Sequence, residues 1–311
     1  MSSARFLPTI LVLIGLSITS MIPLPSQPTQ PTHPSNSALA NSVRCASADV
    51  LNETIGSNGA ALMEALRTSC AIHDVEALAD ASGADAPPLN VSVSVVIGAW
   101  QRPLTLALIV AALKRQKLVT VEIVLVDAGS WPPLLQRLPG LDVDTYIYHR
   151  EDGAYHRVRS FNEGVAAARN EILLLLDDDV IPASDYWAFA AVFSAYKHLH
   201  AGIIRLPLHI LEFRYDLSDA LSRLSELATT TWSDKWHGFP TYNIMVRKSI
   251  WQQLGGLDMS FDGIYGEEDR KFHRDAERTG IRYDRGPLYG CALHAGVFFG
   301  NRGTGKAIRK P

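Results

Sequence analysis

The chain has 311 residues, enough for one large domain or two ordinary ones, and 47% hydrophobic with 20% charged residues is the composition of a globular protein. A net charge of −3 and a pI near 6.4 leave no electrostatic case for nucleic-acid binding, which calls for a basic face. The 3 cysteines, Cys45, Cys70 and Cys291, show no CxxC pair and no zinc spacing; a Cys45–Cys70 disulfide and free thiols both fit the sequence.

The amino-terminal residues, up to Ala48, contain no Asp or Glu. Within them, Phe6 to Leu24 (FLPTILVLIGLSITSMIPL) is apolar for about 19 residues, near the minimum for a membrane-spanning helix, and Arg5 precedes it. A Pro, Ser and Thr run then reads as an extended stalk. An apolar anchor segment (1–25), a stalk (26–58) and a folded domain are the layout of a type II signal anchor. The expectation is a single-pass membrane protein with its domain in the Golgi or ER lumen. A cleaved signal peptide with a small-residue site at SALA (37–40), a transit peptide and a bacterial anchor are the alternatives. Sequons at Asn52-Glu53-Thr54 and Asn90-Val91-Ser92 are compatible with export.

Residues 59–80 (GAALMEALRTSCAIHDVEALAD) place Leu62, Ala65 and Leu66 at helical spacing. They predict an amphipathic stem helix, either packed on the main domain or part of the stalk, with a linker to residue 90. The main domain is expected over 91–311. VSVSVVI predicts a buried strand, and PLTLALIVAALKRQ a helix with Pro103 in its first turn. VEIVLVD (121–127) predicts a second buried strand and TYIYHR a short third. SFNEGVAAARN predicts a helix, and EILLLLDDD a strand running into Asp177, Asp178 and Asp179.

Alternating apolar strands and helices indicate an α/β fold with a mostly parallel sheet covered on both faces. Ligands of such sheets sit at the carboxyl ends of the strands, where Asp127 and the Asp177–Asp179 cluster fall. Neither GxGxxG nor GxxxxGK[ST] is present, which disfavours a dinucleotide dehydrogenase and a P-loop enzyme. A diphosphate would then be held through a divalent cation, since Mn²⁺ and Mg²⁺ take carboxylate oxygens and keep positions open for phosphate. An acidic turn after a buried strand is the bland alternative for DxD. Likewise, Glu267, Glu268 and Asp269 in EEDRKFHRDAERTG either complement a helix dipole or supply a general base.

Five segments in order carry a resemblance: Gln101-Arg102-Pro103 with Gln116, Asp127-Ala128-Gly129-Ser130, Asp177-Asp178-Asp179, Gly255-Gly256-Leu257-Asp258, and Glu268-Asp269. In this arrangement residues 91–295 resemble a nucleotide-sugar glycosyltransferase of the GT-A fold, family 2 type. The resemblance implies a Rossmann-like sheet and transfer of a sugar from a UDP- or GDP-sugar to a hydroxyl of a glycan or glycoconjugate, with inversion and with Mn²⁺ or Mg²⁺ as cofactor. It implies nucleoside contacts from the 97–102 turn, including Ala99 and Arg102, and from Asp127. Arg159 and Asn162 would flank the donor, with Arg159 on the diphosphate. Asp177 and Asp178 would lie at the nucleotide sugar, and Asp179, Asp177 and His294 at the metal. Asp269 would be the general base with Glu268 beside it, and Gly256 and Asp258 would lie toward the acceptor. Ala128, Trp100 and Met259 depart from the family pattern.

Trp232 and Trp236 offer aromatic faces for an acceptor sugar and fit loop packing equally well. Two other functions are compatible with the fold: a nucleotidyltransferase that makes nucleotide sugars, though VVIGAWQRP lacks its Gly-rich signature, and an inactive sugar-binding relative.

Overall fold

A computed structural model describes residues 59–68, 70, 74–84, 86–88, 90–150, 155–198, 201–211, 241–264, 266–287, 290 and 292–295. The proposed membrane anchor, the stalk, Cys45, Cys291 and the Asn52 sequon lie outside them. No helix among the described residues is long and apolar enough to cross a membrane.

The strands form where the apolar runs lie. β1 (Val91–Ala99), β2 (Val119–Asp127), β3 (Thr145–Tyr148) and β4 (Ile172–Asp177) pair in parallel in the order β3-β2-β1-β4. β8 (Ile244–Arg247) runs antiparallel beside β4, and β6 (Ala201–Arg205) and β9 (Arg282–Arg285) complete seven strands among the described residues. A second sheet joins β5 (Val180–Pro182), β10 (Ala292–Ala295) and β7 (Leu208–Leu211).

Alternation along the strands divides the core in two. Val93, Val95, Ile97, Leu174 and Leu176 face one side, where they meet α1 (Pro103–Lys114), α4 (Trp187–Lys197) and the helical residues 59–68 and 74–81. Leu62, Leu66 and Ala77 belong to this cluster, so these helical residues pack on the main domain. Val96, Leu173 and Leu175 face α3 (Arg157–Ala167), α5 (Lys248–Leu254) and α6 (Glu267–Arg278). Each fully buried Leu or Ile side chain in these clusters contributes about 1.5–3 kcal/mol. At Gly164 a Cβ would stand 2.3 Å from Val96 Cγ1, so glycine lets α3 approach the sheet. The short α2 (Leu134–Arg137) follows β2.

The chain steps outward from β1 to β2 and β3, then returns through α3 to β4 on β1's other side. That reversal opens a crevice at the carboxyl ends of β1 and β4, where Gly98 pairs with Asp177 and Ala99 with Asp127 of β2. The expected α/β architecture with a mostly parallel sheet is what forms. Boundaries differ: α1 stops at Lys114, and α3 starts three residues earlier than the sequence predicts and ends at Ala167.

Candidate active site

Two arginines, Arg102 at the rim and the buried Arg157, organise the acids at the ends of β1 and β4. After Asp177 the backbone turns through Asp178 and Asp179 into β5. The Trp100 backbone N–H donates to Asp178 Oδ2 (2.7 Å). Arg102, at the cap of α1, places Nη1 at 2.6 Å from both Asp178 Oδ1 and Asp179 Oδ2. Burial pushes the Asp178 carboxyl up to about 7; Arg102 opposes the rise and Asp179 adds to it.

Asp177 turns instead to Arg157, whose Nε donates to its Oδ1 at 3.0 Å. Arg157 Nη1 reaches Glu268 Oε1 (3.1 Å), Asp269 Oδ1 (3.2 Å) and Thr241 Oγ1 (3.1 Å). One guanidinium thus joins the end of β4 to the first turn of α6, and it stacks over Phe161. Thr241 adds two donors to Asp269 Oδ1, its N–H at 3.0 Å and its hydroxyl. All three bonds fall on Oδ1, so no described group bonds Asp269 Oδ2. Burial raises the Glu268 and Asp177 carboxyls above their ordinary values, with Arg157 opposing both shifts. Arg157 Nη2 and Glu268 Oε2 are buried and have no hydrogen-bond partner among the described residues. Both residues line a small cleft with Tyr155, Val158, Phe261, Gly263 and Ile264.

Other expected residues take different positions. Asp127 is fully buried, and its carboxylate accepts from Ser130 N–H (2.9 Å), Leu134 N–H (2.8 Å) and Tyr146 Oη (2.8 Å). It fastens the loop after β2 and offers no exposed oxygen to a nucleobase. Ser130 Oγ in turn accepts the Gln101 N–H (2.8 Å), which ties that loop to the 97–102 turn. Ala99 is buried, and its carbonyl accepts from Ala128 N–H (2.9 Å).

Arg159 Nε pairs with Glu163 Oε1 (2.8 Å). A helix advances about 100° per residue, so Arg157 and Arg159 face different ways. Arg157 shares the buried face of Phe161 and Val165, spaced by four and eight residues. That spacing was the available signal for Arg157; starting α3 at Ser160 hid it. Thr241 carried no comparable signal.

Asn162 clamps the Gly-Gly-Leu-Asp segment. Its Nδ2 donates to the Leu257 carbonyl (2.8 Å) and its Oδ1 accepts the Leu257 N–H (2.9 Å). Gly256 makes room for this clamp: its φ is +71°, and a Cβ would stand 2.4 Å from Asn162 Oδ1. Asp258 caps the 3-10 turn Met259–Phe261 by accepting the Ser260 N–H (2.9 Å). The β5–β10 register sets His294 opposite Val180, the residue after Asp179. Trp232 and Trp236 lie outside the described residues.

The donor set suits a divalent cation. Two carboxylates already converge on one positive centre, Arg102 Nη1, and hard oxygens with open positions are what Mn²⁺ or Mg²⁺ uses beside substrate phosphates. The pair that converges is Asp178 with Asp179, whereas Asp177 is engaged by Arg157. No group of three or more His, Cys, Asp or Glu that could hold a metal occurs among the described residues.

The family model described as glycosyl transferase family 2 matches residues 94–255. Among solved structures, the chain is similar to the mannosyltransferase PcManGT from Pyrobaculum calidifontis in complex with GDP-Man and Mn²⁺. Identity is 14% and the TM-score 0.47, over 83% of this chain and 70% of that one. No curated protein matches the chain.

Proposed function

The chain belongs to glycosyl transferase family 2, and from that premise we propose that it is an inverting, divalent-cation-dependent transferase that moves a sugar from a UDP- or GDP-sugar to a hydroxyl of a glycan or glycoconjugate. The observation that carries the reading is the span of Arg157, which joins Asp177 on the donor rim to Glu268 and Asp269 on α6.

Asp269 is the general base. Thr241 and Arg157 hold Oδ1, which orients Oδ2 toward an acceptor hydroxyl that must lose its proton as it attacks. Arg157 acts through this carboxylate as a positioning residue. Glu268 supports the base through the same guanidinium. A divalent cation at Asp178 and Asp179 would supply Lewis-acid stabilisation of the charge that builds on the leaving diphosphate. Asp127 and Ser130 shape the turn that receives the nucleoside, and Asn162 with Gly256 sets the path of the chain toward α6. Attack from the face opposite the leaving group inverts the anomeric centre. Residues 1–25 would tether the enzyme to a membrane, with a Golgi or ER lumenal domain.

The test is donor turnover. UDP- and GDP-sugars are incubated with the full chain and Mn²⁺, with and without chelator, and with sugar acceptors. Release of nucleoside diphosphate that the chelator abolishes, with an inverted product by NMR, is expected. Release of pyrophosphate, cation-independent turnover or retention of configuration would each overturn the reading.

A further inference from the structure

Arg102 and Arg157 serve their carboxylates differently, and the difference has a consequence. Arg157 spreads two nitrogens over three acids and Thr241. Arg102 brings one nitrogen, Nη1, to one oxygen each of Asp178 and Asp179, at 2.6 Å. The parallel two-bond fork that a guanidinium forms with a carboxylate is not used there. Arg102 acts on these two acids as a point charge between two oxygens.

Three further features favour exchange. The Arg102 side chain is 22% exposed, whereas those of Asp178 and Asp179 are 5% and 11% exposed, so the arginine enters from the rim. The Trp100 N–H fixes Asp178 through its other oxygen, so the seat keeps its shape when Arg102 leaves. Pro103 follows Arg102 at the helix start, which pins the backbone and leaves the side chain as the moving part.

We propose that Arg102 is a displaceable counter-ion: it balances Asp178 and Asp179 until a divalent cation takes its place, and then turns to the diphosphate that arrives with the cation. This rests on the reading of Asp178 and Asp179 as the cation seat. Arg102 and a dication cannot share that seat without repulsion, and a diphosphate gives the displaced guanidinium a new anionic partner.

The experiment titrates Mn²⁺ alone into the full chain, with free Mn²⁺ read by electron paramagnetic resonance. Arg102→Gln is expected to bind Mn²⁺ about tenfold more tightly than wild type. Arg102→Lys, which keeps a charge and secures the fold, should fall between the two. With Mn²⁺ saturating, Arg102→Gln should bind UDP or GDP about tenfold more weakly than wild type. In chelator, Arg102→Gln should melt below wild type and gain more from added Mn²⁺. Equal or weaker Mn²⁺ binding by both variants would overturn the exchange, and Mn²⁺ binding to none of the three proteins would overturn the seat as well. Tighter binding by the variants would uphold the exchange even if no sugar transfer were found.

Discussion

Replacing Arg157 with methionine isolates its charge, because the apolar stem over Phe161 is largely kept. The substitution strips a cation from Asp177, Glu268 and Asp269, whose side chains are 18%, 3% and 21% exposed. Removing one partner of a buried ion pair costs about 3–5 kcal/mol, because the remaining charge is left uncompensated. Protonation limits the loss, one pKa unit being about 1.36 kcal/mol. It also gives the loss a pH signature. Burial already raises Glu268 above 4.5 and Asp177 above 3.8, and Arg157 opposes both rises, so the variant raises them further. A carboxyl whose folded value exceeds its unfolded value contributes stability that is present below the unfolded value and lost as pH climbs through the folded one. The deficit of Arg157→Met should therefore be largest at neutral pH and smaller near pH 4. Urea unfolding followed by tryptophan fluorescence in chelator reads both quantities. A cost below about 1 kcal/mol at neutral pH, or one equal at both pH values, would refute the bridging role.

Gly256→Ala should cost about 3 kcal/mol, roughly 1 from the positive φ and about 1 for each Asn162–Leu257 bond it displaces; near-neutral urea unfolding would contradict the clamp. Asp127→Ala strips an acceptor from Ser130 N–H, Leu134 N–H and Tyr146 Oη and should cost about 3 kcal/mol, with a raised KM for the donor; an unchanged KM would disconnect this loop from the nucleoside. Glu268→Gln removes a carboxyl raised by burial, so its melting temperature relative to wild type should rise as pH increases above 4.5; a falling difference would reverse the sign.

The parallel half of the sheet was legible because β1, β2 and β4 are apolar runs buried on both faces, each flanked by a helical period. Their acidic ends followed from direction alone, since successive parallel strands finish on one rim. The antiparallel strand β8 and the pairing of β5 with β10 were not legible. Val180–Pro182 and Ala292–Ala295 are short, and they pair with segments far away in sequence. The same limit applied to side chains. Asp127 looked like a ligand because it ends a strand, but α2 and Tyr146 consume its oxygens. Arg159 and Asn162 stood in a matching segment, yet helix phase turned one to Glu163 and the other to Leu257. Arg157 shows the converse, a charged residue at the core spacing of Phe161 and Val165. The acids of α6 stand in its first turn, and Glu268 and Asp269 also meet the arginine from α3.

In the proposed reaction Asp269 removes the acceptor proton. Asp269→Asn keeps the acceptor oxygen that Thr241 and Arg157 hold and removes the basicity. Its rate of nucleoside diphosphate release with Mn²⁺, donor and acceptor should fall about 10²–10⁴-fold. Stabilisation by UDP or GDP with Mn²⁺ should persist in thermal melts, because the donor side is untouched. A variant that turns over at the wild-type rate would exclude Asp269 as the general base.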